Sequence, residues 1–216
     1  MKQITPDLWQ TAQEKQFGTL NVHAYLLKRE EGNLLFYNPR STKEFQQITE
    51  LGGVHYHYLS HGHEVDPTVS AVRRTFDAQL CCHANVARYL NEEAPAHVYF
   101  EAPEREIHAG TLEVLHTLGH TDNNVCFRYA SPHGKTYLFM GDTIYLDNGS
   151  WNTLIMESEG GSRHALAKSL SYLRGFDVDV VICSVAIGES RIVEVTTAEW
   201  HSIIDERLAH LRAETS

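Results

Sequence analysis

Apolar and polar positions first organise into strands. Asn21-Val22-His23-Ala24-Tyr25-Leu26-Leu27 and Asn33-Leu34-Leu35-Phe36-Tyr37 flank the polar Glu30-Glu31-Gly32, the pattern of a β-hairpin. Pro39 ends the second strand. Ser41 and Glu44 stand at capping-box spacing and predict a helix running to about Leu51, stopped by Gly52-Gly53. Val54 to Ser60 reads as the next strand. A helix over Thr68 to Phe76, a short strand at Gln79-Leu80-Cys81-Cys82 and a helix from about Asn85 to Asn91 continue a βαβα rhythm.

The second half repeats the style. Extended segments are expected at Thr111–Thr117, Asn124–Tyr129 and Thr136–Met140, then a helix at about Arg163–Leu173. Val178 to Cys183 is a mostly apolar strand. Thr196 with Glu199 has capping-box spacing and opens a last helix to about Arg212. No Pro- or Ser-rich linker, low-complexity tract or repeat interrupts the chain. Residues 1–216 therefore read as one α/β domain with two β-rich halves and helices outside.

Composition narrows the function. With 216 residues and 42% hydrophobic content, the chain can bury a substantial core. The formal net charge of −10 repels phosphate backbones and argues against a nucleic-acid partner. No apolar run reaches membrane-spanning length, and the N-terminus lacks the apolar centre of a secretion signal, so a cytoplasmic location is the default expectation. Cys81, Cys82, Cys126 and Cys183 form no C-x-x-C pair and read as buried free thiols. The expected partner is a small-molecule substrate, and a homodimer is compatible with the sequence.

The 14 histidines are the unusual count, and the question is which converge. His61 and His63 follow a strand at i, i+2 spacing, which in extended backbone points both imidazoles the same way. Three further segments also follow strands: Thr117-Leu118-Gly119-His120-Thr121, Gly141-Asp142-Thr143 and Cys183-Ser184-Val185. Loops at strand ends are where a rigid scaffold presents ligands. His61, His63, His120 and Asp142 together suit one divalent metal, zinc first and iron as the alternative. Asp142 and Asp66 are the candidate catalytic carboxylates. Strand alternation turns Glu64 away from the His61/His63 side, so Glu64 reads as a solvated loop charge. His55 and His57 read as locally satisfied, His83 equally as a group at the site edge or at a helix start, and His108 and His116 as strand positions. His201 and His210 read as surface positions of the last helix, and Trp151 as a core residue. No nucleophile elbow, P-loop, dinucleotide fingerprint or H-E-x-x-H helix is present.

These segments resemble the metallo-β-lactamase superfamily. Its motif T-H-x-H-x-D-H is matched by Ser60-His61-Gly62-His63-Glu64-Val65-Asp66, its T-P-G-H-T by Thr117-Leu118-Gly119-His120-Thr121, and its G-D-T/S by Gly141-Asp142-Thr143. The resemblance implies an αββα sandwich, a first metal site on His61, His63 and His120, and Asp142 as the bridge toward a second. The departures matter equally. The motif aspartate falls on Val65, the following histidine on Asp66, and the late histidine near Cys183-Ser184-Val185, where no histidine occurs. The resemblance therefore implies one metal ion and not two. Three readings stay open: a metal-dependent hydrolase of a small ester, thioester or lactone; a mononuclear iron dioxygenase-like enzyme using His61, His120 and Asp142; and a non-catalytic binding or regulatory protein.

Overall fold

The apolar runs of the first half become neighbours in one mixed sheet. In the computed structural model, residues 1–16, 18, 20–92, 95–101, 104–188 and 192–213 are described. The chain divides into two units, Met1–Glu101 and Ala102–Ser216.

The first unit contains β1 (Lys2–Gln3), β2 (Leu8–Gln10), β3 (Glu14–Gln16), β4 (Leu20–Val22), β5 (Tyr25–Leu27) and β6 (Leu34–Phe36). Helix α1 (Phe45–Glu50), β7 (Tyr56–Tyr58), helix α2 (Pro67–Phe76), β8 (Gln79–His83) and β9 (Val98–Phe100) follow. The sheet order is β1-β2-β5-β6-β7-β8-β9. β5 and β6 pair antiparallel as the expected hairpin, with Tyr25 opposite Phe36. β6, β7, β8 and β9 then run parallel. β5 and β6 are buried at every position, as strands covered on both faces must be. The first predicted strand is broken at His23-Ala24. There the Ala24 amide donates to Thr11 Oγ1, and His23 Nδ1 lies 2.6 Å from the Thr11 carbonyl oxygen. β3 and β4 form a separate antiparallel pair. The helices cover an apolar layer of Leu26, Leu35, Ile48, Val54 and Val72.

The Ser41/Glu44 capping box does not form, and α1 begins at Phe45. Glu44 turns instead to the N-terminus: one oxygen lies 2.8 Å from the Met1 ammonium and the other accepts from the Ala12 amide at 2.8 Å. Gly52 and Gly53 do end that helix, both at positive φ. The predicted Asn85–Asn91 helix is a 3-10 helix over Ala84–Tyr89. His83 Nδ1 caps it by accepting from the Asn85 amide, the helix-start role of the two expected of that histidine.

The second unit contains β10 (Arg105–His108), β11 (Leu112–His116), β12 (Val125–Ala130), β13 (Thr136–Gly141), β14 (Tyr145–Asp147) and β15 (Ser150–Asn152). Helix α3 (Arg163–Leu173), β16 (Val180–Cys183), β17 (Val185–Ile187), β18 (Ile192–Glu194) and helix α4 (Thr197–Ala213) complete it. Its sheet has the order β10-β11-β12-β13-β16-β18. β10 to β13 form an antiparallel meander, and β16 joins β13 in parallel. α3 occupies its predicted span, with Ser162 accepting from the Ala165 amide as N-cap. The Thr196/Glu199 box closes in both directions: the Thr196 amide donates to Glu199 Oε2, and the Glu199 amide to Thr196 Oγ1. Leu166, Leu170, Trp200, Ile204 and Leu208 of α3 and α4 pack on Leu138, Met140 and Val181. Trp200 Nε1 donates to the Leu173 carbonyl at 3.2 Å, which binds the two helices. Trp151 packs against the same core. All four cysteines are free and buried, and among the described residues no helix is long and apolar enough to cross a membrane.

Candidate metal centre

In the first unit, β7 delivers the chain into Leu59-Ser60-His61, with the Leu59 amide bonded to the Cys81 carbonyl. His61 is extended (φ −164°, ψ 175°), but Gly62–Glu64 then curls into a 3-10 turn. Gly62 leaves room there for the Tyr89 ring, since a Cβ would lie 2.4 Å from Tyr89 Cε2 and the ring would have to move. The His61 and His63 rings meet edge to face, with centroids 5.0 Å apart. They come together through the turn and not through the extended alternation expected.

The same turn overturns the solvated reading of Glu64. Its side chain is 6% exposed, and its carboxylate accepts from the Ser60 amide at 2.9 Å and from the Ser60 hydroxyl. Ser60 Oγ lies 2.9 Å from His61 Nδ1. Strand alternation ends at His61, so it could not place Glu64. Burial first, and the nearby Glu64 second, push the Cys82 thiol up to about 12.

Val65 turns into an apolar cluster with Leu59, Val69, Leu80 and Val86. Asp66 is the N-cap of α2, accepting from the Thr68 amide at 2.7 Å. Its oxygens also accept from Asn38 Nδ2 at 2.8 Å and from Arg40 Nη1 at 3.0 Å. Arg40 Nη2 donates to the His63 carbonyl oxygen, fixing the turn from outside. Asp66 thus has a structural occupation at both oxygens.

In the second unit, His120 lies in the turn after β11. Gly119 has φ +136°, and a Cβ on it would sit 2.3 Å from the Leu166 backbone, so only glycine fits where the turn meets α3. Ser169 Oγ donates to the Leu118 carbonyl at 2.7 Å, and the Met156 amide to the His120 carbonyl at 2.8 Å. His120 Nδ1 lies 2.8 Å from the Leu154 carbonyl oxygen. A carbonyl only accepts, so Nδ1 carries the proton, and in the neutral ring Nε2 keeps the lone pair. Nε2 lies 3.8 Å from Asp142 Oδ2. The other carboxylate oxygen of Asp142 accepts from the Ser184 hydroxyl.

Asn124 ties the two ligand loops of this unit together. Its amide nitrogen donates to Thr143 Oγ1 at 2.8 Å, and lies 3.1 Å from Thr117 Oγ1. Cys126 packs beside both threonines, where burial pushes its thiol up to about 11. Neither Asn124 nor Ser184 was singled out as a site residue from sequence. Ser184 sits at the late position where a histidine was missing, and that vacancy was the available signal.

The remaining histidines have local roles. Burial lowers His57 to about 4, against a hydrogen bond from Nε2 to the Tyr37 carbonyl. His55 is exposed against Tyr56. His116 Nε2 meets Glu106 Oε1 at 3.1 Å.

No protein-family model matches the chain, and no curated protein does. Solved structures do. A metallo-β-lactamase from Pontibacter korlensis is similar at TM-score 0.70 and 19% identity, covering 98% of this chain and 97% of that one. FIM-1, a metallo-β-lactamase from Pseudomonas aeruginosa in its mono-zinc form, is similar at TM-score 0.71 and 15% identity, covering 98% and 94%. A metallo-β-lactamase from Cronobacter sakazakii is similar at TM-score 0.67 and 14% identity, covering 97% and 86%. The chain has the metallo-β-lactamase fold.

Within the metallo-β-lactamase fold, an αββα sandwich as expected, each departure from the motif pattern now has a chemical description. Val65 offers no ligand atom and is committed to an apolar cluster. Asp66 offers oxygens that already accept three hydrogen bonds. Ser184 offers a hydroxyl that donates to Asp142 and leaves the other Asp142 oxygen on the His120 side.

Proposed function

We propose that this chain is a metal-dependent hydrolase in which His61, His63, His120 and Asp142 together hold one divalent metal ion. The donor set carries the reading: three imidazoles and one carboxylate, each offering a single ligand atom. Nitrogen and carboxylate donors of this kind suit zinc. The hydrogen bond from His120 Nδ1 to a carbonyl supports it further, because backbone acceptors behind ligand histidines fix the tautomer that metal binding needs. The engagement of Val65 and Asp66 elsewhere supports one ion and not two. FIM-1 was described with a single zinc, which is consistent with a mononuclear arrangement on this fold.

When bound, a divalent ion in this set acidifies a water near neutral pH and polarises a carbonyl oxygen. The chain's own contribution is to hold and orient. Ser184 would hold one oxygen of Asp142 and leave the other, on the His120 side, as its ligand atom. Asp66 acts at a distance, holding the start of α2 and, with Arg40, the turn that carries His63. The substrate class is a small ester, thioester or lactone.

The test is elemental analysis of protein purified without chelator, followed by assays on p-nitrophenyl acetate, an acyl thioester, a lactone and a chromogenic β-lactam. About one zinc per chain and turnover of an acyl substrate are expected. Two metals per chain would overturn the single-ion reading. Iron with oxygen uptake would favour the dioxygenase-like reading, which draws on His61, His120 and Asp142. No metal after loading with zinc or iron would favour a non-catalytic protein.

A further inference from the structure

Glu64 occupies a place that a solvated loop carboxylate does not. Its side chain is 6% exposed, and Ser60 is fully buried beside it. The hydroxyl of Ser60 donates to Glu64 Oε1. That uses the single hydroxyl proton. Ser60 Oγ is therefore an acceptor toward His61 Nδ1, 2.9 Å away, and Nδ1 must carry the proton. Glu64 Oε1 lies 3.4 Å from the same nitrogen, a second acceptor oxygen beside Nδ1. The Ser60 amide holds the second carboxylate oxygen at 2.9 Å and fixes the orientation of the carboxylate.

We propose that Glu64 is a positioning residue which, through Ser60, locks His61 in the Nδ1–H tautomer and so keeps Nε2 as its metal-binding nitrogen. The inference rests on the single-metal reading for its purpose, but not for its geometry. His120 reaches the same tautomer by another device, a backbone carbonyl. In the first unit the acceptor is a side-chain relay closed within five residues, Ser60 to Glu64. Such outer groups commonly change metal affinity ten- to hundredfold when removed. Glu64→Gln keeps the shape of the side chain; with its carbonyl oxygen still accepting from the Ser60 amide, its NH2 group takes the place of Oε1 and donates to Ser60 Oγ. The Ser60 hydroxyl then becomes free to donate to His61 Nδ1 and favours the other tautomer.

Two measurements test this. The first is long-range 15N–1H NMR of the metal-free chain, which reports which nitrogen of His61 is protonated, with His61→Gln used for assignment. Nδ1–H is expected in the unsubstituted chain, with a shift toward Nε2–H in Glu64→Gln and in Glu64→Ala, which both free the Ser60 hydroxyl. The second is competition for zinc against a chromophoric chelator, where Glu64→Gln is expected to bind ~10- to 100-fold more weakly. Circular dichroism checks that each variant is folded, and if Glu64→Gln is not, Glu64→Ala carries both measurements. A metal-free His61 protonated at Nε2, or unchanged tautomer and zinc affinity in a folded variant, overturns the proposal. Should the unsubstituted chain take up no zinc, the single-metal reading fails, while the NMR result still decides whether the relay exists.

Discussion

The two units support their candidate ligands in opposite ways. In the first, Ser60, His61, His63 and Glu64 sit within five residues, and the histidine support comes from neighbouring side chains. In the second, His120 is held by the Leu154 carbonyl and Asp142 by Ser184, partners 34 and 42 residues away in sequence. A local relay is fixed once its own turn forms. A long-range support is fixed only when the whole unit is folded. Substitutions around His61 should therefore act mainly on the ligand, and substitutions around His120 on ligand and stability together.

The largest expected effect tests the ligands directly. His120→Ala should lower zinc affinity by more than the roughly hundredfold of an outer-group change, read by chelator competition. Retained stoichiometric zinc would remove His120 from the donor set. Next come the two glycines that shape the ligand turns. Gly119→Ala combines positive φ with a clash against the Leu166 backbone and should cost about 4 kcal/mol in denaturant unfolding. Gly62→Ala meets only the ring of Tyr89, which can swing, and should cost about 1–2 kcal/mol. Equal costs would break the contrast between a turn set by backbone and one set by a side chain.

His57 gives the first unit a pH dependence. Burial depresses its folded value to about 4 from an ordinary 6.5, so the unfolded chain binds the proton more tightly. The contribution is present above pH 6.5 and is lost as pH falls toward 4, amounting to about 3 kcal/mol. His57→Gln, which keeps a donor for the Tyr37 carbonyl, should flatten that part of the stability profile between pH 6.5 and 4. An unchanged slope would show that other groups set it. The smallest effect belongs to Asp66→Ala, which removes the α2 cap and should cost about 1 kcal/mol in thermal or denaturant unfolding.

The sequence disclosed what local rules govern. The capping box of α4 could be read because Thr196 and Glu199 act on each other's amides three residues away. The three metal-type motifs could be read because each follows a strand directly. The same local rule failed at Ser41 and Glu44, whose expected box lost Glu44 to the chain terminus. It failed at Glu64, because a 3-10 turn replaces the two-residue alternation just where the prediction depended on it. Asn124 and Ser184 were out of reach for a different reason. Their partners are set by strand order, and the hydroxyl of Ser184 has no meaning until β13 and β16 lie side by side. Strands of two or three residues, such as β1, β14 and β17, are too short to show a period at all.

Asp66 carries a consequence for how this loop can change over generations. Asp66→His would remove the α2 cap and leave the Arg40 guanidinium facing an imidazole. Val65→Asp would place a charge against Leu59 and Leu80. Either substitution alone therefore costs stability, and the loop cannot take on two further ligand-type side chains without repacking. The cap and the arginine tie Asp66 to the folding of the first unit, whatever the site binds.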